Sequence, residues 1–220
     1  MHKKKREQQQ KRFKIKPLVA QTDNQKDYVR SIIENHVTLC TGPAGTGKSF
    51  VASGLSSEHL HKGKIDQIII TRPMVCTGRD IGAMPGDVHE KIKPYLMPME
   101  ENLKHFLGQG LYGNYFNKNQ IRYEPLETMR GATFHNAYMI LDEAQNCTLD
   151  QIKMFITRMG ENSKVIINGD IKQTDLYKRS GLQTCIDKLC GLEGVGVITF
   201  GYEDIQRHSI VGAILAALEE

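Results

Sequence analysis

Gly42, Pro43, Ala44, Gly45, Thr46, Gly47, Lys48 and Ser49 form an uninterrupted Gly-x-x-x-x-Gly-Lys-Ser string. An apolar, β-rich run, Val37-Thr38-Leu39-Cys40-Thr41, stands before it, and a stretch of helical character, Ser49 to His61, follows. Strand, glycine loop and helix in that order make a cradle for phosphate. Gly42, Gly45 and Gly47 allow a tight turn whose N–H groups point inward, and the next helix adds its positive dipole end. In such a loop the lysine, Lys48, reaches β- and γ-phosphate oxygens, and the hydroxyl of Ser49 reaches Mg²⁺. A chain built around this element is constrained to an α/β fold with its ligand beyond the carboxyl ends of parallel strands.

The rest of the chain reads the same way. Gln25 to Glu34 has Tyr28, Val29, Ile32 and Ile33 on one side of a helix. Gln67–Thr71, Gln120–Glu124, Ala137–Leu141, Val165–Asn168 and Val195–Phe200 read as further strands. Leu149–Met159, Gly181–Leu189 and Ile205–Leu218 read as helices. Gly78 to Asp87 reads as a loop, and His89 to Leu107 as a helix that Pro94 and Pro98 break or kink. Gly108 to Asn119, rich in Gly, Asn and Tyr, reads as another loop, where Tyr112, Tyr115 and Phe116 either stack on bases or anchor the segment. The expected architecture is one domain with a mostly parallel sheet and helices on both faces, a size that buries most of its apolar surface.

Composition bears on partners. The 220 residues carry a formal net charge of +4, but residues 1 to 16 hold eight of the 29 Lys and Arg and one acid, leaving net −3 over residues 17 to 220. We therefore divide the chain into a basic, disordered tail, 1–20, and an ATPase core, 21–220. A Lys/Arg/Gln run of this kind cannot bury enough surface to fold alone. It is either a solubilising arm or a salt-sensitive contact to a phosphate backbone. Five cysteines with no Cys-x-x-Cys pair favour a reducing compartment. The start lacks an apolar leader and no apolar run reaches membrane-spanning length, so the expectation is a soluble, cytoplasmic protein. The eight histidines show no metal-ligand grouping.

A second half of the site is carried by Tyr138-Met139-Ile140-Leu141-Asp142-Glu143-Ala144-Gln145, an apolar strand that ends in two adjacent carboxylates. Asp142 is placed to hold the Mg²⁺ shell, and Glu143 to orient and deprotonate an attacking water. Acids at a strand end also arise simply because a helix start attracts them. Downstream, Ile166-Ile167-Asn168-Gly169-Asp170-Ile171-Lys172-Gln173 ends in Gly-Asp-x-x-Gln. The Gln173 amide can accept from a water and donate to a phosphate oxygen, or it can be a solvated turn residue. Asp170 fits the role of shaping the turn.

Taken with Ile68-Ile69-Ile70-Thr71-Arg72-Pro73 and the segment from Met84 to Leu96, these blocks resemble the PhoH-like family. The match runs from about Gln21 to the C-terminus. The resemblance implies a single RecA-like P-loop NTPase core similar to the first motor domain of superfamily 1 helicases, with ATP and Mg²⁺ as cofactors. It further implies single-stranded nucleic acid, RNA before DNA, as partner, and homo-oligomers of ring form, a hexamer being the family's suggestion.

By the same resemblance Gln25 reads the adenine edge, or is an ordinary helix-start glutamine. Arg72 touches the nucleic-acid backbone, or is a structural ion-pair partner. Arg207, in Asp204-Ile205-Gln206-Arg207-His208, stabilises γ-phosphate charge in cis or in trans, or is a surface arginine. No nuclease region of PIN type and no KH-type RNA-binding loop is visible. The alternative to a translocating ATPase is an ATP-dependent regulatory switch that binds a protein partner. A small-molecule kinase is disfavoured by Glu143, since a water-activating carboxylate wastes ATP in a transferase.

Overall fold

The computed structural model describes residues 14–73, 88–173 and 180–207 together with Ile210 and Ile214; side chains of the third helix are described from Leu96 onward. Six parallel strands form one sheet: β1 (Val37–Thr41), β2 (Gln67–Thr71), β3 (Ile121–Tyr123), β4 (Ala137–Leu141), β5 (Lys164–Gly169) and β6 (Val195–Thr199), in the order β3-β2-β4-β5-β1-β6. The helices are α1 (Asp23–Glu34), α2 (Lys48–His61), α3 (Val88–Asn117), α4 (Leu149–Ile156) and α5 (Gly181–Leu189). None is long and apolar enough to cross a membrane among the described residues.

Strand alternation divides the core. Cys40, Ile68, Ile70, Tyr138, Ile140 and Ile166 face α1, α2 and α3, meeting Tyr28, Ile32, Val51, Leu55 and Leu103. The intervening residues, Leu39, Ile69, Met139, Leu141, Val165 and Ile167, face α4 and α5, meeting Ile152, Phe155, Leu182 and Cys185. A sheet sheathed on both faces explains why its strands read as continuous apolar runs. Helix starts follow local chemistry: the Thr22 hydroxyl accepts from Gln25 N–H at 3.2 Å, and Thr148 with Gln151 forms a capping box for α4. Inside the α1 face the Tyr28 hydroxyl donates to Asn168 Oδ1 at 2.5 Å, fastening α1 to β5.

Three expectations need correction. The helical backbone runs through Pro94 and Pro98, and the non-helical residue is Gly108, with φ 72° and ψ 157°. The segment from Gly108 to Asn119 is mostly helix rather than loop, because packing overrides its weak propensity. Leu111 and Tyr112 are buried in the α1–α3 core, the Tyr112 hydroxyl donates to the Tyr123 hydroxyl, and the Tyr115 hydroxyl lies 3.1 Å from His61 Nδ1. Phe116, exposed, stacks on Tyr112.

The last helix does not begin at Ile205. Tyr202–Asp204 is a 3-10 turn and 205–207 is not helical; Ile210 and Ile214 are helical, and the remainder of the expected helix is outside the described residues. So are the expected loop at 78–87, the first four residues of the Met84 to Leu96 motif and Cys76. The basic segment is described only from Lys14 onward. There, Lys16 N–H donates to the Phe106 carbonyl and Leu18 N–H to Glu58 Oε1, both at 2.8 Å, laying this stretch along α2 and α3.

Candidate functional site

β1 delivers the glycine loop to the carboxyl edge of the sheet. Gly42, Gly45 and Gly47 have φ of 144°, 85° and 90°, which side chains rarely adopt. They also admit three close neighbours. A Cβ at Gly42 would lie 2.6 Å from the Phe200 carbonyl oxygen, one at Gly45 2.9 Å from Arg207 Nε, and one at Gly47 2.8 Å from Gln25 Nε2. Gly47 offers α2 no side-chain cap, so the first N–H groups of the helix are open to an anion. Lys48 Nζ donates to the Gly42 and Pro43 carbonyls at 2.7 and 2.8 Å, which holds its charge inside the loop. The Thr46 hydroxyl donates to the Pro43 carbonyl at 2.9 Å and braces the same turn.

β4 delivers the carboxylates. Although β5 separates β4 from β1, the Ser49 hydroxyl donates to Asp142 Oδ1 at 2.7 Å, so the two halves meet. Asp142 is 5% exposed. Burial pushes its carboxyl above the ordinary range, and the Glu143 charge adds to this; the Ser49 hydrogen bond, Arg72 and Lys48 pull the other way. Two oxygen donors, one of them a carboxylate that would gain from a nearby cation, fit Mg²⁺. Among the described residues no group of three or more His, Cys, Asp or Glu is clustered so as to hold a metal ion.

Glu143 sits in the left-handed region at φ 56° and ψ 38°. Both of its oxygens have partners. Oε1 lies 3.0 Å from Arg72 Nη2, and Oε2 accepts from Gln145 Nε2 at 2.6 Å. The Gln145 Oε1 in turn accepts the Asp170 N–H at 3.0 Å, joining the end of β4 to the end of β5. Register explains the Arg72 contact. β2 and β4 pair Thr71 with Leu141, so the residues that follow, Arg72 and Asp142, leave the sheet side by side.

The other named residues close around the same space. Gln25, buried, donates from Nε2 to the Thr46 carbonyl at 3.0 Å and accepts Gln21 N–H at 2.8 Å. Its amide thus braces the loop. Gln206 N–H donates to the Gly45 carbonyl at 2.9 Å, which seats Arg207 of the same chain against Gly45. Asp204, 2% exposed, anchors that segment by accepting from Asn24 Nδ2 at 2.7 Å and Gly201 N–H at 2.9 Å. Gln173 N–H closes a turn onto the Asp170 carbonyl, and its side chain is exposed.

A cavity of about 550 Å³ results. Gln25, Ala44, Gly45, Gly47, Lys48, Ser49, Asp142, Glu143, Gln173 and Arg207 all line it. Gly42, Pro43, Thr46 and Arg72 stand one bond behind, touching Lys48, Gln25 or Glu143. The volume lies within the usual range for small-molecule and cofactor sites. Residues that sequence reasoning missed are Gln145, Asp204, Phe50 and Asn102, the last two being cavity walls. Gln145 stood two residues from Glu143, inside the Ile140 to Asn146 block that carries the family resemblance, and was given no role there; Asn102, on α3, had no signal. Tyr112, Tyr115 and Phe116 are not among the residues lining the cavity.

A family model described as PhoH-like protein matches residues 17–219. A PhoH-like protein of Synechocystis is 42% identical over 202 residues, covering 91% of this chain and 62% of the relative. One of Bacillus subtilis is 41% identical over 212 residues, covering 96% and 66%. The chain therefore spans a little under two thirds of the length of these curated relatives. Among solved structures, the large terminase of a thermophilic bacteriophage, in complex with ADP, superposes with a TM-score of 0.54 at 12% identity, over 89% of this chain and 49% of that one. That likeness concerns the fold, a RecA-like P-loop NTPase core.

Proposed function

The chain belongs to the PhoH-like family, and from that premise we propose that it is a Mg²⁺-dependent ATPase coupling hydrolysis to movement along, or remodelling of, single-stranded nucleic acid, with RNA preferred to DNA. The observation that carries this reading is the 2.7 Å bond between Ser49 and Asp142, which joins the phosphate loop and the acidic strand end at one cavity. Bound MgATP supplies a phosphoryl group open to attack by water, with negative charge that must be offset in the transition state.

The chain's residues divide that work. The loop N–H groups and the open start of α2 bind phosphate oxygens, and Lys48 adds its charge from within the loop. Ser49 and Asp142 would hold the metal, which would offset phosphate charge there. Glu143, at the cavity wall, takes the proton of the attacking water, and Gln173 orients that water or a phosphate oxygen. Arg207, seated on Gly45 in cis, offsets developing charge, an effect worth ~10³ or more in rate for such arginines. Gln25 holds the loop through the Thr46 carbonyl and, in this reading, reads the adenine edge. Arg72 contacts the nucleic-acid backbone.

By likeness to the family, the working form in this reading is a ring-like homo-oligomer, a hexamer, with composite sites between subunits, in the cytoplasm. The test is phosphate release from the purified protein with and without a panel of single-stranded RNA and DNA, with oligomer mass measured alongside. Stimulation by RNA supports the reading. Turnover that no polymer changes replaces it with a switch that answers to a protein partner.

A further inference from the structure

Arg72 and Glu143 have separate jobs in the reading above, gripping a strand and activating water, and yet they form an ion pair with each other. Their side chains are 24% and 38% exposed, so the pair sits at the site's margin, within reach of solvent and of a larger ligand. Gln145 holds the second oxygen of the same carboxylate. A guanidinium pairs with phosphate at least as well as with carboxylate, through the same planar fork of donors. The two partners therefore compete for one group.

We propose that the Arg72–Glu143 ion pair is an inhibitory latch, and that the phosphodiester backbone of a single strand opens it by taking the Arg72 guanidinium. With the latch closed, Oε1 of Glu143 is committed to Arg72 and its carboxylate is held at the β2 side of the cavity. With a strand phosphate on Arg72, Glu143 keeps only the Gln145 bond and is released to meet water. Hydrolysis then waits for polymer. This rests on the ATPase reading above and adds to it how the strand controls turnover. Because linkage is reciprocal, loosening the latch from the Glu143 side must also raise affinity for the strand.

Two measurements test it. The first needs no nucleotide: fluorescence anisotropy of a labelled 12-nucleotide single-stranded RNA with the wild-type protein and with Glu143→Gln. Removal of the carboxylate charge tightens strand binding about threefold, as expected for a partly exposed ion pair. Affinity that is unchanged or weaker overturns the latch. The second is phosphate release by Arg72→Ala, whose folding is checked by its thermal midpoint. The latch requires a strand-free rate about threefold above wild type and no further stimulation by RNA.

A strand-free rate equal to wild type means that Arg72 only grips the strand, and a lower rate means that Arg72 holds Glu143 in its working position; either result overturns the proposal. Failure of the broader reading looks different. A wild-type protein that binds no strand and ignores all polymers removes the motor, and it overturns the phosphodiester as the latch's ligand even if Arg72→Ala runs faster.

Discussion

The phosphate-loop half of the site and the carboxylate half are built on different principles. Around Lys48 the shape is set by backbone: three glycines at positive φ, two carbonyls on the ammonium, and neighbours packed where a Cβ would stand. Around Glu143 it is set by exchangeable side-chain contacts, Arg72 to Glu143 to Gln145, drawn from just beyond β2 and β4, with the Asp170 N–H after β5 holding Gln145. A backbone cradle is preorganised and resists change, as a binding element should. A side-chain chain has alternative partners, as a switching element needs.

The contrast is sharpest in the two substitutions of largest effect. Glu143→Gln is expected to cut turnover by ~10² to 10⁴, the span usual for a general base, while MgATP still binds. Lys48→Ala is expected to lose ~10² or more in turnover and, unlike Glu143→Gln, to weaken nucleotide binding as well. Phosphate release and equilibrium nucleotide titration on both variants read this out. Indistinguishable binding defects would erase the distinction between the halves.

Gly42→Ala probes the rigid half alone. It combines φ of 144° with a Cβ pressed on Phe200 backbone, and we expect a loss of about 3 kcal/mol in urea unfolding. A change below about 0.5 kcal/mol would mean that the loop yields easily. Gln145→Leu probes the exchangeable half. It removes the bridge from Glu143 to the Asp170 N–H, and turnover should fall about tenfold with nucleotide affinity kept.

The smallest effect serves as a control remote from the bridges just described. His59, buried and 2.7 Å from the Tyr138 hydroxyl, has its pKa pushed down to about 4 by burial and then by Lys64 and Lys62. The neutral ring is therefore favoured in the folded state. Its contribution to stability is complete above the unfolded value near 6.5 and is lost as pH falls toward 4. Thermal midpoints measured across that window should drop for wild type and drop less for His59→Gln, with turnover at neutral pH unaffected in the variant.

The same contrast decides what could be read from the chain. The loop is contiguous, and its conformational demands are written in glycine spacing, so it was legible with its flanking strand and helix. The strands of β1, β2 and β4 were legible to the residue because burial on both faces makes apolar runs with sharp ends. The Arg72–Glu143 pair was not, because it depends on β2 lying beside β4, a choice of neighbours that no local pattern encodes. The helix after Gly108 was misread for a related reason: Leu111 and Tyr112 are helical because of what they pack against, and local glycines argue the opposite.

Whether the two halves form one site can be measured by a double-mutant cycle on MgATP affinity with Ser49→Ala, Asp142→Asn and the pair together. If both residues hold the same ion, the double variant loses little more than either single one, a coupling of about 1 kcal/mol or greater. Losses that simply add, to within about 0.5 kcal/mol, would show that the serine of the loop and the aspartate of the strand serve separate ends.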